Sequence, residues 1–387
     1  MRWLLKLAGV GSLAVLLIGA IFVVLNWNRI TTFAQNFGAL FDGVEIVDTL
    51  QSDEALLAYI DTNRTRVSLV AYRLDDADSA ILLNPDTPRP LASAFKILVL
   101  AGYAEAIEEG RWSPDERVPL TAVEAFVLPY TDGGAHERAV ETYRERGWLD
   151  AAGRVALRHV AWAMMTVSDN AATDYLLGRL GREVAETLPA RFNTVDSQAP
   201  LPISGVLLSW SATVDDPSTN GAWELAERLR NDPEFRTARQ DNPVGNRFTL
   251  REQSRLSSTR LPRGTARDYT GLMARILRGE STSSVPSTTM RKFLEWPMEN
   301  EPIRRAFSVF GAKSGSLPSV LTEVIYAVPH DAASGGVAAL FLDDLPLAVW
   351  FTLTQSHLQK DFLRRLLSDP EFFVRARQRL EAPPAAG

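Results

Sequence analysis

The sequence of 387 residues contains no cysteine, which excludes disulfide bonds, thiolate nucleophiles and cysteine-ligated metals. Histidine is also rare, and the separations of the four histidines do not match the spacing of metal ligands: His136, His159, His330 and His357. We therefore predict no metal site. No basic run is interleaved with aromatic residues, and the formal net charge is −6. Both features argue against a nucleic-acid partner.

Lysine is the next scarce residue. Only five of the 41 basic residues are lysine: Lys6, Lys96, Lys292, Lys313 and Lys360. Arginine does not lose its proton in proteins, whereas a buried lysine can lose its proton and act as a base. In a chain that otherwise uses arginine, a lysine at a buried position indicates a requirement that arginine cannot meet.

One long uncharged run lies near the N-terminus, at residues 7–25, after Arg2 and Lys6. It exceeds the roughly 7–15 apolar residues of a signal peptide and approaches the roughly 20 that cross a bilayer. Because positive charge is slightly greater before the run than after it, the rest of the chain is expected outside the cytoplasm. The predicted organisation is a single-pass membrane anchor at 1–28, a linker at 29–44, an extracytoplasmic domain at 45–382 and a disordered tail at 383–387.

The remaining pattern predicts strands at both ends of the domain and helices between them. β-Branched and aromatic residues favour strands at 65–74, 79–85, 305–316, 319–329 and 346–355. Apolar helical spacing predicts one helix at 45–63, two around the sequence VSDN within 155–180, one from Thr265 and a last one at 357–380. Residues 200–262 are rich in turn signals and are predicted to form long loops or an insertion. We expect an α/β fold in which both chain ends build one sheet flanked by helices, with an inserted helical lobe at about 97–300.

The stretch RPLASAFKILVLAGYAEAI predicts a buried helix near whose start Ser93 and Lys96 lie three positions apart. Positions three apart share a helix face, so both side chains can enter one cavity. Burial and the positive end of the helix dipole lower the pKa of such a lysine. A neutral amine beside a hydroxyl is a general base that activates a nucleophile, and the backbone N–H of Ser93 is a donor for an oxyanion. A single S-x-x-K is also expected by chance in a chain of this length.

Two further short motifs follow in the sequence. Ser168, Asp169 and Asn170 precede the apolar run AATDYLL, where they could serve simply as a helix N-cap. Lys313, Ser314 and Gly315 end a predicted strand, where the alternative is a solvated turn.

Together and in this order, the three motifs resemble those of the penicillin-recognising serine hydrolases, and the chain from about 45 to 380 is most similar to class A β-lactamases. The resemblance implies an antiparallel sheet and a cleft between the sheet and the helical lobe. It also implies that no cofactor is needed. The partner would be a small-molecule β-lactam or a peptidoglycan-type peptide.

The resemblance also implies roles for the motif residues. Ser93 would be the acylated nucleophile, Lys96 its base, and Ser168 the group that passes a proton to the departing nitrogen. Substrate binding would fall to the remaining residues: Asn170 to the side-chain amide, Lys313 and Ser314 to the carboxylate, Gly315 to the backbone along the strand, and Ser316 to the oxyanion through its N–H. Asp169 would brace the turn.

One feature of class A β-lactamases is missing. Their deacylating water is activated by a glutamate in an E-x-x-L-N pattern, and residues 191–216 contain no glutamate. Glu224, Glu252 and Asp196 are the nearest substitutes. Three functions follow from this departure: a serine hydrolase with another route for water, a penicillin-binding sensor that stays acylated, and an esterase on the same scaffold. Extra residues at about 112–150 and 205–260 would reshape the cleft.

Overall fold

The first and last strands of the chain pair with each other in one antiparallel sheet. The computed structural model describes residues 38–39, 41–210, 219–241, 248–280 and 287–383. Most of the predicted anchor, linker and tail, residues 7–25 and 384–387 included, lies outside the described residues. Within the described ranges, no helix has the length and apolar character needed to cross a membrane.

The sheet has five strands in the order β2-β1-β9-β8-β7, with all neighbours antiparallel. Two short pairs, β3 with β6 and β4 with β5, lie outside it. The strands in chain order are β1 Val67–Arg73, β2 Asp76–Leu83, β3 Arg89–Pro90, β4 Arg117–Pro119, β5 Arg154–Ala156, β6 Arg263–Gly264, β7 Phe307–Leu317, β8 Val320–Pro329 and β9 Gly336–Leu342.

The helices before and after the sheet strands, and those of the inserted lobe, are α1 Val44–Val47, α2 Asp53–Thr62, α3 Lys96–Glu108, α4 Leu120–Glu124, α5 Ala135–Glu145, α6 Leu157–Thr166, α7 Asn170–Leu180, α8 Arg182–Arg191, α9 Ile203–Ser209, α10 Thr219–Asn231, α11 Pro233–Asp241, α12 Leu250–Arg260, α13 Ala266–Arg278, α14 Ser287–Leu294, α15 Glu301–Ala306, α16 Leu347–Ser356, α17 Leu358–Ser368 and α18 Pro370–Glu381.

Each face of the sheet packs against a different group of helices because strand side chains alternate between the two faces. On β9, Leu340 and Leu342 enter the core that contains residues of α2, α17 and α18, whereas Phe341 enters the core that contains residues of α3, α6, α7 and α13. The second core joins the sheet to the helical lobe, and the motif residues lie beside it. The predicted fold class, with a sheet from both chain ends and an inserted helical lobe, is confirmed.

Residues 200–262 correct one prediction. The sequence predicts long loops or an insertion here; the loops are wrong, because the described part of this segment contains α9, α10, α11 and α12. One turn signal is a helix start: Pro233 is the first residue of α11, and Asp232 Oδ1 accepts a hydrogen bond from the backbone N–H of Phe235 at 2.9 Å. Proline and aspartate favour a helix N-terminus as much as a turn.

The C-terminal third contains a second correction. The strand predicted at 346–355 is α16, and the strand β9 at Gly336–Leu342 fills the place in the sheet. Both segments are short apolar runs, which periodicity alone does not assign to helix or strand. Two long helices are also divided: 45–63 into α1 and α2, and 357–380 into α17 and α18 at Asp369, where Pro370 begins the new helix.

Candidate active site

Ser93 lies in a tight turn immediately before α3. The 3₁₀ turn Ala92–Phe95 leads directly into α3 at Lys96, so the serine precedes the helix instead of lying within it. Residues i and i+3 eclipse each other in a 3₁₀ turn, which places Ser93 and Lys96 on the same side. Ala92 has the left-handed backbone φ of 43°, a conformation that is strained for alanine and recurs at functional sites.

Lys96 is fully buried and held by the second motif. Its Nζ lies 2.7 Å from the carbonyl oxygen of Ser168, 3.1 Å from Ser168 Oγ and 2.9 Å from Asn170 Oδ1. Burial lowers the pKa of Lys96 to about 8, against the opposing negative charges of Asp169 and Asp174. A lysine with this pKa is partly neutral near pH 7, as a general base requires. In the described residues Lys96 makes no hydrogen bond to Ser93; unliganded sites often show such catalytic contacts only after substrate binds.

The turn of Ser168 is fixed by Asp169, the residue after it. Asp169 caps α7, since its Oδ1 accepts from the N–H groups of Ala171 and Ala172 at 2.8 and 3.1 Å. Its other oxygen, Oδ2, lies 2.9 Å from His136 Nδ1. Ser168 itself has a left-handed φ of 65°. The motif therefore caps α7, and it also places Ser168 and Asn170 at the cleft described below.

Lys313 approaches the same hydroxyl from the sheet. Its Nζ donates to Ser168 Oγ at 3.0 Å and to the carbonyl oxygen of Ser314 at 3.0 Å. Burial, and then the charge of Lys96, hold the pKa of Lys313 well below its usual value. Ser168 Oγ thus bridges the amines of the first and third motifs.

Gly315 brings strand β7 against the turn of Ser93. A Cβ at this position would lie 2.5 Å from the Ser93 backbone nitrogen and 2.5 Å from Thr322 Oγ1. A side chain cannot approach backbone atoms this closely. Glycine is therefore required here so that β7 can lie against the turn of Ser93, a contact that the sequence motif does not reveal. The close approach places Ser93, Gly315 and Ser316 on one wall of the cleft.

The cleft has a volume of about 580 Å³ and lies between the sheet and the helical lobe. Ser93, Ser168, Asn170, Ser314 and Ser316 all line it. Much of the remaining lining comes from segments that the sequence marks as insertions. It is mainly apolar, with Tyr130, Leu201, Ile203, Val206, Leu207, Trp210, Phe248 and Leu261, and includes the polar residues Thr131, Asp132, Arg138 and Gln253. The site therefore combines a mainly apolar lining with a few polar groups, the usual composition of a small-molecule site.

The predicted substitutes for the deacylating glutamate do not line this cleft. Glu252 is used in a capping box at the start of α12, where its Oε2 accepts from the Thr249 N–H at 2.8 Å. Among the described residues, the carboxylates that line the cleft are Asp132 and Glu323. Asp132 accepts from three backbone N–H groups at the start of α5, which leaves it little capacity to act as a base.

Three buried polar residues near the motifs were missed by the sequence analysis. Asp174 on α7 accepts from the N–H groups of Ile203 and Ser204, both at 2.7 Å, and burial raises its pKa to about 6. His136 supports Asp169, and Glu323 on β8 accepts from Ser314 Oγ at 2.6 Å. Each acts across a distance in sequence, so no local pattern could identify it. His159, by contrast, is the packing residue that its helix suggests: it stacks on Trp148 at 3.9 Å.

No group of histidine and carboxylate side chains in the described part of the chain has the arrangement of a metal site.

Comparisons with known proteins bear on the fold and the family. The profile of the beta-lactamase enzyme family matches residues 51–344. Similar solved structures include PBP-A, at 17% identity, a TM-score of 0.51 and coverage of 80% of this chain and 94% of that chain. A beta-lactamase from Sphaerobacter thermophilus is 18% identical with a TM-score of 0.50, covering 85% of this chain and 98% of that chain. A point mutant of PBP-A, solved as an acyl-enzyme complex with penicillin G, is 17% identical with a TM-score of 0.50, covering 81% and 95%. No curated protein sequence matches the chain.

Proposed function

Since this chain belongs to the beta-lactamase enzyme family, we propose that it is a membrane-anchored serine acyl hydrolase that opens β-lactam or D-alanyl-peptide-type amides through an acyl-enzyme on Ser93. The observation that carries the proposal is the bridge of Ser168 Oγ between Lys96 Nζ and Lys313 Nζ, at 3.1 and 3.0 Å. A structural N-cap alone does not require two buried lysines on one hydroxyl.

The acylation step follows from these contacts. The amine of Lys96 takes the proton of Ser93, and Ser93 Oγ attacks the carbonyl carbon of the substrate. The carbonyl oxygen becomes an oxyanion that backbone N–H groups of Ser93 and Ser316 stabilise. When the C–N bond breaks, the proton passes through Ser168 to the leaving nitrogen, and the acyl group remains as an ester of Ser93. Water then releases the acid and restores the serine.

Release is the step for which the chain lacks the expected base. Because the carboxylates that line the cleft in the described residues, Asp132 and Glu323, are both engaged in hydrogen bonds, a penicillin-binding sensor that acylates without efficient turnover is the second candidate. An esterase is the third, since ester leaving groups need less proton assistance.

The proposed location, from the charge around residues 7–25, is a catalytic domain held outside the cytoplasm by a single N-terminal membrane segment.

Intact-mass spectrometry tests the proposal directly. The domain from residue 45 onward is incubated with a penicillin at high concentration and with a chromogenic cephalosporin, beside a Ser93→Ala variant. A mass increase that equals the penicillin and is absent from Ser93→Ala supports acylation. A lasting adduct selects the sensor, and cephalosporin turnover selects the hydrolase. Hydrolysis of short aryl esters without any β-lactam adduct selects the esterase, and absence of every reaction contradicts the proposal.

A further inference from the structure

The end of the cleft that should hold a substrate carboxylate already contains one. Glu323 on β8 is the cross-strand partner of Ser314 on β7, so both side chains lie on the same face of the sheet. Ser314 Oγ donates to Glu323 Oε2 at 2.6 Å, and Gln359 Nε2 donates to Glu323 Oε1 at 3.4 Å. Glu323 is only 3% exposed, yet it lines the cleft together with Ser314 and Gln359.

This contact changes what Ser314 can offer to a substrate. A serine hydroxyl has one proton, and here that proton points to Glu323. Toward the cleft Ser314 presents lone pairs, which accept hydrogen bonds and repel a carboxylate. Gln359 supplies no donor to the cleft through this contact, because its Nε2 is directed to Glu323 Oε1.

Of the two lysines at this end, one is engaged by other groups and the other lies beyond ion-pair distance of Glu323. Lys313 Nζ donates to Ser168 Oγ and to the Ser314 carbonyl oxygen. Lys360 on α17 lines the same end of the cleft, and its charge lowers the pKa of Glu323 against the larger, raising effect of burial. Lys360 makes no ion pair with Glu323 within 4.0 Å in the described residues, so its charge only offsets that of Glu323 at a distance.

We propose that Glu323 determines substrate class by withdrawing Ser314 from carboxylate recognition, so that the cleft prefers acyl esters or amides with a neutral, hydrogen-bond-donating group at this end. The inference rests on the proposed acylation of Ser93 and narrows its substrates. An N–H or O–H of the substrate would donate to Ser314 Oγ, where a carboxylate would face the negative charge of Glu323.

A matched pair of substrates tests the proposal: a penicillin and its methyl ester, which differ only in the carboxylate. The measured quantity is the ratio of the two second-order rate constants for acylation of Ser93. The wild-type protein should favour the ester by at least about tenfold, the effect of one hydrogen bond to a charged group. Glu323→Gln removes the charge. Its amide oxygen can keep the bond from Gln359, and its amide nitrogen can then donate to Ser314 Oγ, so the Ser314 proton becomes available to the substrate. This variant should reduce that ratio at least about tenfold.

Two further variants complete the experiment. Glu105 is another buried glutamate, 1% exposed and paired with Arg191 away from the cleft, so Glu105→Gln should leave the ratio unchanged within about twofold.

A wild-type preference for the free acid, or an unchanged ratio in Glu323→Gln, overturns the inference while the proposed function stands. A loss of the free-acid reaction alone in Lys360→Met also overturns it, since Lys360 would then bind the carboxylate. Absence of any Ser93 adduct with either compound overturns the proposed function instead.

Discussion

Lys96 Nζ lies 2.7 Å from the backbone carbonyl oxygen of Ser168, so the amine of the first motif is held by the main chain of the second. Ser168 can present both this carbonyl and its hydroxyl to the amine in a left-handed backbone conformation, with φ of 65°. The position of the predicted base therefore depends on the shape of a turn that lies more than 70 residues away in sequence. Asp169 and His136 fix that turn from behind.

The pH dependence of acylation should report Lys96. Burial lowers its pKa to about 8, and only the neutral amine accepts the Ser93 proton. The acylation rate constant should therefore rise about tenfold per pH unit below pH 8 and level off above it. Lys96→Arg keeps the charge but cannot deprotonate, so it should lose at least about 100-fold in rate and show no rise with pH. Stopped-flow measurements with an aryl ester from pH 6 to 10 check this; a flat wild-type profile would contradict it.

Removal of the bridging hydroxyl should slow acylation without unfolding the protein. In Ser168→Ala, Lys96 and Lys313 lose a shared partner, and the predicted loss of proton transfer is about 10²–10⁴-fold in rate. Ser168→Gly is the matched variant because glycine adopts a positive φ without strain. It should be equally slow but melt at a higher temperature than Ser168→Ala. Retention of wild-type rates in either variant would rule out a role for the hydroxyl.

Gly315→Ala should displace the turn of Ser93. The new methyl group would lie 2.5 Å from the Ser93 nitrogen, and a misplacement of this size is expected to cost about 100-fold in acylation. Gly271→Ala provides the control: its nearest contact would be Arg275 Nη1 at 3.6 Å on α13, and alanine there should stabilise the helix by about 0.5–1 kcal/mol. Acylation assays and thermal melts separate the two. Normal acylation by Gly315→Ala would show that the turn can move freely.

The pair of His136 and Asp169 should make stability depend on pH. Burial alone would lower the pKa of His136, but the hydrogen bond and charge of Asp169 outweigh burial and raise it above 6.5. The pKa of His136 is thus higher in the folded protein than in the unfolded chain, where it is about 6.5. The protonated histidine therefore stabilises the fold fully below pH 6.5, and this stabilisation is lost as pH rises through the pKa of the folded state. Urea unfolding of the wild type should therefore show a fall in unfolding free energy across this range.

His136→Asn should remove this fall, because asparagine does not titrate. His159→Asn is the comparison of opposite sign: burial lowers the pKa of His159 to about 4, below the unfolded value of about 6.5, so this histidine adds stability as pH rises toward 6.5. Its replacement should therefore steepen the fall near pH 6.5, whereas replacement of His136 should remove it. Parallel curves for the wild type and His136→Asn would mean that His136 does not carry the charge.

The sequence was sufficient for the parts of the site that are written in contiguous motifs. Ser93 and Lys96 are three positions apart at a helix start, so their spacing places them on one side. Ser168 and Asn170 flank the N-cap residue Asp169, so both lie at the start of α7. Glu323 and His136 escaped prediction because each meets its partner through tertiary packing. A single glutamate in an apolar strand such as VLTEVIYAVP has no local signature of its partner.

The same distinction explains the errors in the fold. Residues 346–355 and 336–342 are both short apolar runs. Residues 336–342 form a strand because they pair with β1 and β8, whereas 346–355 have no such partner strand in the described residues and form a helix. Proline and aspartate in residues 200–262 were interpreted as turns, although in α11 they start a helix. Composition identified these residues as boundaries but did not indicate which side of the boundary was helical.

The pairing of β1 with β9, in which Val67 lies opposite Leu342, has a consequence for biosynthesis. At the usual elongation rate of about 5–20 residues per second, β1 must wait roughly 15 to 55 s for its neighbour to be made. The hairpin of β1 and β2 is meanwhile an unpaired apolar edge, the kind of surface that invites aggregation. A nascent chain of this design therefore exposes one edge of its first hairpin until the ribosome has nearly finished.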